Sequence, residues 1–226
     1  MNKQGENKIS WTDFTWNPIT GCLAGCGYCY ARKMYERFKR SFKPKLHCNR
    51  LNEIKKIKKP SRIFLGSVTD FWGEGVPSEW RRIVFQHVEK YPQHTFQILT
   101  KQPQNIEDEE LPENVWVGVT VESELHHWRI HALELKRRDN QWTNRIFVSY
   151  EPMLGYLKLF GEESPCVDWI ICGAMTGPSA VKHTPSQAMI EDVIDWSKMM
   201  GKPIFMKSSL SKYWDKPLIQ KFPKEV

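Results

Sequence analysis

Cys22, Cys26 and Cys29 fall within eight residues, in the run Cys22-Leu-Ala-Gly-Cys26-Gly-Tyr28-Cys29. Thiolates crowded in this way suit a metal or a cluster better than disulfides, which a chain of 226 residues with no sign of export does not need. Iron–sulfur clusters are commonly held by four thiolates. Three thiolates on a four-iron cube would leave one iron without a protein ligand, open to a small molecule. Gly21, Gly25 and Gly27 punctuate the run and give its backbone the freedom to wrap a compact group. Zinc is the rival ligand. Structural zinc sites take four ligands, often as two separated pairs, and here the remaining cysteines, Cys48, Cys166 and Cys172, are scattered. His47, beside Cys48, could complete a Cys3His set. A redox pair of Cys26 and Cys29 would leave Cys22 unexplained.

The elements that must position these thiols read as alternating strands and helices. Short runs rich in Val, Ile, Phe or Trp predict strands over 63–68, 95–100, 115–121, 145–150, 169–172 and 203–206, with a further one within 9–16. Helices are predicted over 30–42, after the cysteines, and over 77–90, with Trp80, Ile83, Val84, His87 and Val88 on the inner face. Two more cover 123–138, capped by Ser123, and about 186–200, closed by Gly201. The acidic stretch 101–113 predicts a short helix or a loop. This alternation implies βαβ units and a mostly parallel sheet. Six units are too few for a closed eight-fold barrel. A partial (β/α)6-type barrel in a single domain, 1–226, is expected, with a doubly wound sheet as the alternative architecture.

In such barrels reactive groups gather at the C-terminal ends of the strands. Those ends carry Ser67, Thr69 and Asp70; Thr100 and Lys101; Thr120 and Glu122; Ser149 and Glu151; Thr176; and Lys207. Ser, Thr and Asp also favour ordinary strand-to-helix turns, so turn chemistry competes with a binding role at each position. His127 and His131 are spaced to share a metal, but no third ligand is evident, and an exposed helix face accounts for them. Trp72, Trp80, Trp142 and Trp169 read as core or edge residues, and Cys172 as a small buried hydrophobe.

The spacing Cys22-x3-Cys26-x-Tyr28-Cys29, with an aromatic residue before the last cysteine, resembles the signature of the radical S-adenosylmethionine (SAM) superfamily. Wider segments, Trp11–Cys22, Leu65–Phe71, Leu99–Pro103, Gly118–Glu122, Ser149–Pro152 and Lys202–Lys207, resemble a small phage and prokaryotic subfamily of unassigned function. The resemblance implies a [4Fe–4S] cluster on Cys22, Cys26 and Cys29, SAM on its open iron, and a low-potential electron donor. It also implies reductive cleavage of SAM to methionine and a 5′-deoxyadenosyl radical that takes hydrogen from a substrate. Given SAM's groups, Glu122 or Glu151 could accept from ribose hydroxyls, Ser67 and Thr69 could meet the ammonium, and Lys101 or Lys207 the carboxylate. Asp70, Thr120 and Ser149 complete the expected cofactor contacts. One departure stands out: Cys172-Gly-Ala-Met-Thr-Gly177 replaces an expected Gly-Gly-Glu-Ser-Gly, so the acidic residue is missing.

The net charge of +7 is uneven. Residues 37–62 hold eleven Lys or Arg against the single acid Glu53, so this segment is +10 and the rest of the chain −3. A concentration of this kind argues for an anionic partner near the segment, against the plainer account of a solvated helix and loop. A nucleic acid (DNA or RNA) or nucleotide substrate is the leading expectation. A peptide or small acidic metabolite is the second, and a non-catalytic metal-binding nucleic-acid module the third. No apolar run reaches the roughly 18 residues of a membrane span, and the first ten residues have no hydrophobic stretch, so a cytoplasmic protein is expected.

Overall fold

The structure, a computed structural model, describes residues 1–5, 8–107, 110–159 and 166–224. Its contacts divide the chain into two compact units, Met1–Val117 with Trp142–Asn144, and Gly118–Gln141 with Arg145–Val226. The first contains β1 (Asn2–Lys3), β2 (Phe14–Trp16), β3 (Ile19–Thr20), α1 (Tyr30–Arg37), β4 (Lys45–Leu46), α2 (Cys48–Leu51), β5 (Arg62–Leu65), α3 (Ser78–Val88) and β6 (Thr95–Thr100). The boundary falls within β7 (Val115–Thr120). The second contains α4 (Trp128–Asp139), β8 (Ile146–Tyr150), β9 (Trp169–Cys172), α5 (Gln187–Met200) and β10 (Ile204–Met206).

The main sheet runs β1-β2-β5-β6-β7-β8-β9-β10, with β3 and β4 paired separately. Within this sheet β2 with β5, β5 with β6, β8 with β9 and β9 with β10 are parallel and the edge pair β1–β2 is antiparallel, while the separate pair β3–β4 is also antiparallel. The order follows the chain without reversal. A doubly wound sheet needs a point where the order reverses, so that alternative is set aside in favour of the partial-barrel class.

Register explains how the strands are filled. In the first unit, Trp16 pairs with Leu65, Ile63 with Phe96 and Leu65 with Ile98, which puts these side chains on one face. All of them are at most 1% exposed. Full burial of an apolar side chain of this size contributes about 1.5–3 kcal/mol, so this face is a principal source of stability. In the second unit Phe147 pairs with Trp169, Ser149 with Ile171, and Ile171 with Phe205. Trp169, Phe205 and Phe222 form a ring cluster on that face, with centroids 5.2–6.3 Å apart. Gly118 lies against Phe147, whose ring atoms would stand 2.7 Å from any Cβ there. Only glycine fits beside that ring.

Several expected boundaries shift for local reasons. The helix after the cysteines stops at Arg37, well short of 42. Lys39 adopts a left-handed φ of 50°, and Phe42 leaves the helix to bury against Tyr35, 4.8 Å between centroids. On α3 the buried residues are Arg81, Val84, Phe85 and Val88, so the inner face is rotated from the one expected, leaving Trp80, Ile83 and His87 half-buried. Arg81 is tolerated inside because its guanidinium donates to the Val76 carbonyl and pairs with Glu107. Ser123 makes no side-chain cap. A 3-10 turn over Glu124–His126 intervenes before α4. Ser186 and Gly201 close α5 as expected, the first accepting from Met189 N–H and the second left-handed at φ 63°. Within 101–113 a 3-10 turn covers Pro103–Asn105, and Asp108 and Glu109 lie outside the described residues. No helix among the described residues is long and apolar enough to cross a membrane.

Candidate functional site

In the first unit the cysteine loop follows β2 and β3 and is tied to the ends of β5 and β6. Gly21 bridges to Thr69, with Gly21 N–H donating to Val68 O at 3.1 Å and the Thr69 hydroxyl donating to Gly21 O at 2.6 Å. Gly21 has φ +91°, and a Cβ on it would come within 2.2 Å of the Lys43 carbonyl oxygen. This position therefore demands glycine twice, for its backbone and for its neighbour. On its other side the loop is braced by Phe42, whose carbonyl accepts from Cys22 N–H at 2.9 Å, and by Arg32, which donates to Cys22 O at 2.8 Å.

All three thiols are free and half-buried. Cys22 Sγ accepts from Ala24 N–H at 3.4 Å, and Cys29 Sγ caps α1 by accepting from Arg32 N–H at 3.4 Å. Burial pushes the Cys22 thiol above its ordinary value, while backbone N–H donors from Ala24 and Asp70 work against that shift. Among the described residues no group of three or more His, Cys, Asp or Glu is arranged to hold a single metal ion. A four-iron cube asks instead for one thiolate per iron at separate corners. The donor set fits such a group in its chemistry: three free thiols, two of them already met by N–H donors, on a glycine-rich loop. A Cβ on Gly27 would meet nothing within 4 Å, so the loop is open there. His47 is directed to the Thr20 hydroxyl, 2.9 Å away.

The sequence-selected residues of this unit fall around the loop. Asp70 is the hub. It is 7% exposed, and its carboxylate accepts from the Thr100 hydroxyl at 2.6 Å, Lys101 N–H at 2.9 Å and Trp72 N–H at 3.3 Å. Burial raises its pKa against the pull of those hydrogen bonds. The Lys101 ammonium reaches the Tyr28 hydroxyl and lies 4.6 Å from that ring's centroid. The residue before the last cysteine and the end of β6 thus meet. Ser67 exchanges hydrogen bonds with the Asn17 amide, whose oxygen also accepts from Val68 N–H at 3.3 Å. The Tyr30 hydroxyl donates to Ser67 O at 2.8 Å. Asn17, Tyr30 and Arg32 were missed as supporting residues. Their only sequence signal is proximity to the cysteines.

In the second unit the selected residues share a sheet face. Gly118, Thr120 and Glu122 alternate along β7 and beyond it. Phe147, Ser149 and Glu151 do the same from β8, and Phe205 and Lys207 from β10. The polar members sit at the C-terminal ends. Glu122 is 3% exposed and accepts from Arg129 at 2.8 Å, with His126 Nδ1 3.1 Å away. Arg129 also donates to Thr120 O at 2.7 Å. Glu151 pairs with the Lys207 ammonium. A Cβ at Gly173 would stand 3.1–3.3 Å from Lys207, Ser209 and Glu151 side-chain atoms, so this glycine makes room for the pair. Beneath it, Cys172 is fully buried, and burial with the neighbouring Glu151 charge pushes its thiol up to about 12. Thr176 is exposed. Arg129 and Gly173 are further residues that inspection of strand ends does not single out.

Fold and site define an α/β protein with a mostly parallel, singly wound sheet and a three-cysteine loop after its first parallel strand. Residues 6–217 match the family model described as "Protein of unknown function (DUF5131)", and the chain belongs to that family. Among solved structures it is similar to spore photoproduct lyase. A point mutant of that enzyme superposes with a TM-score of 0.62 at 8% identity, over 91% of this chain and 78% of that one. A second mutant, with dinucleoside spore photoproduct, gives 0.61 at 9% identity over the same shares. A double mutant with bound AdoMet and dinucleoside spore photoproduct gives 0.57 at 10% identity, over 84% and 74%. At such identities the likeness is one of fold. No curated protein matches the chain.

Proposed function

We propose that this chain is a radical SAM enzyme, acting through residues 1–226 as one domain, with a nucleic acid or nucleotide as substrate. The observation that carries the reading is the Cys22–Cys29 loop. Three free thiols follow the first parallel strand of a fold shared with a protein solved with AdoMet bound. With a cluster and SAM bound, the chemistry supplied is reductive cleavage of SAM and removal of a hydrogen atom from the substrate.

The chain's own residues divide the work. Cys22, Cys26 and Cys29 hold the cluster, and Thr69, Asp70 and Phe42 brace the loop that carries them. Ser67 and Lys101 offer a hydroxyl and an ammonium beside that loop. Glu122, Glu151 and Lys207, with Thr120 and Ser149, offer charged and polar groups at the strand ends of the second unit. Each is proposed as a cofactor contact to be tested singly. The carboxylates of Glu122 and Glu151 are held in place by their pairs with Arg129 and Lys207, and their oxygens are offered as acceptors for hydroxyls. The departure at Cys172–Gly177 leaves the second unit without the acid expected there, and Glu151 is the nearest carboxylate to Gly173. A reduced cluster also suits the cytoplasm.

The test is anaerobic reconstitution with iron and sulfide, then reduction in the presence of SAM. The expected result is 5′-deoxyadenosine, lost when Cys22, Cys26 and Cys29 are replaced by Ala. Uptake of zinc with no four-iron cluster overturns the proposal.

A further inference from the structure

Helix α1 begins at the last cysteine and turns an apolar stripe outward. Tyr30, Met34 and Phe38 recur every four residues, which places them on one side of a helix of 3.6 residues per turn. They are 59%, 41% and 60% exposed, and Leu23 on the cysteine loop is 44% exposed. Large apolar groups scattered singly need no explanation, whereas three in a row on the helix that follows a candidate catalytic loop do.

The surroundings of the stripe are cationic. Lys33, Arg37, Lys39, Arg40, Lys43 and Lys45 are all exposed, and Glu36 is the only acid between residues 30 and 46. None of these six forms an ion pair with an acid among the described residues. The rings are also held in place. The Tyr30 hydroxyl is tied to Ser67 O at 2.8 Å, and the Arg40 guanidinium lies 5.6 Å from the Phe38 centroid. A ring fixed before binding loses less entropy when a partner settles on it.

We infer that this face of α1 seats single-stranded nucleic acid, with bases stacking on Tyr30 and Phe38 and phosphates meeting the flanking lysines and arginines. Single-strand binders combine these two features, because every base has a flat apolar face and every nucleotide a negative charge. An acidic protein surface would satisfy the cations without carrying a flat apolar face on each charged unit, as a nucleotide does. The inference deepens the nucleic-acid reading of the substrate and rests on it. It also specifies the strand form, since a duplex keeps its bases stacked on one another and away from the rings.

The experiment is fluorescence anisotropy with the full chain and a labelled 12-nucleotide single-stranded DNA, at 50 and 200 mM salt. Three phosphate contacts predict an affinity loss of about 20-fold between the two salts. Phe38→Ala is expected to weaken binding about 5-fold or more with the salt slope unchanged. The triple variant Arg37→Glu, Lys39→Glu, Arg40→Glu is expected to flatten the slope. Circular dichroism checks that both variants fold, as exposed positions should. Absence of binding at 50 mM salt overturns the inference. So does competition by polyglutamate as effective as that by unlabelled oligonucleotide, which assigns the face to an acidic protein. Equal affinity for duplex, with Phe38→Ala silent, also overturns it. Formation of 5′-deoxyadenosine without nucleic acid is measured in parallel on the parent chain. Its loss with binding intact counts against the radical reading, and lost binding with that activity intact counts against this one alone.

Discussion

Replacing Asp70 with Asn tests how much one buried carboxylate contributes where the segments after β5 and β6 meet, beside the loop that carries Cys22. The carboxylate has two oxygens and three donors: the Thr100 hydroxyl and Trp72 N–H on one oxygen, Lys101 N–H on the other. Asparagine offers a single oxygen, and its NH2 must face one of these groups. Thr100 can rotate its hydroxyl, but a peptide N–H cannot turn away, so either Lys101 or Trp72 is left without an acceptor. A buried donor left unmet costs about 1–3 kcal/mol. Part of that is offset, because burial disfavours the ionised carboxylate, as its raised pKa records, and the amide is neutral. A net loss of about 1–2 kcal/mol is expected, which for a chain of this size lowers Tm by about 2–8 °C. Thermal unfolding followed by circular dichroism measures it on the protein without cofactor. A double-mutant cycle with Thr100→Val should show coupling, since the two side chains share the 2.6 Å bond. An unchanged or higher Tm in D70N refutes the reasoning, because the relief of burying a charge would then outweigh the lost acceptor.

Gly118→Ala places a methyl 2.7 Å from the Phe147 ring, and overpacking of this kind should cost about 1–3 kcal/mol in urea unfolding, recovered in part by Phe147→Leu. At pH 8 a thiol with a pKa of about 12 is ionised to about one part in ten thousand, so native Cys172 should resist iodoacetamide. Exposed Cys48 should react first by mass spectrometry, and early labelling of Cys172 would show that the strand is not closed as described. Burial pushes the Asp13 carboxyl up, yet the hydrogen bonds and charge of Arg62 outweigh it and hold the group below its ordinary value. The pair's stabilisation is therefore fully present above the unfolded pKa of about 4 and is lost as pH falls through the folded value. Both side chains are partly exposed, so Arg62→Ala should cost less than about 1 kcal/mol at pH 7, and the gap from the parent should narrow below pH 4.

The sequence by itself determined the kinds of element and the thiol triad. The runs at 95–100 and 169–172 become strands over those same residues, because a short apolar run rich in β-branched and aromatic side chains has one economical conformation. Ser186 and Gly201 delimit α5 because cap chemistry is local. The strand-end residues were legible for the same reason, since alternation carries Ser149 to Glu151 and Thr120 to Glu122 on one face.

Only tertiary structure decided the rest. The unreversed strand order is set by which strands pair, and no local pattern encodes that. The end of α1 depends on Phe42 leaving to support Cys22, and the burial of Arg81 depends on Glu107 arriving from 26 residues along the chain to join the nearby Val76 carbonyl. Asp70 looked like one more strand-end acid. The three donors that make it a buried junction come from Trp72, Thr100 and Lys101, two of them about thirty residues away. Propensity and capping act within a few residues and can be read along the chain, whereas register, helix rotation and buried hydrogen bonds depend on partners that meet only once the chain has folded.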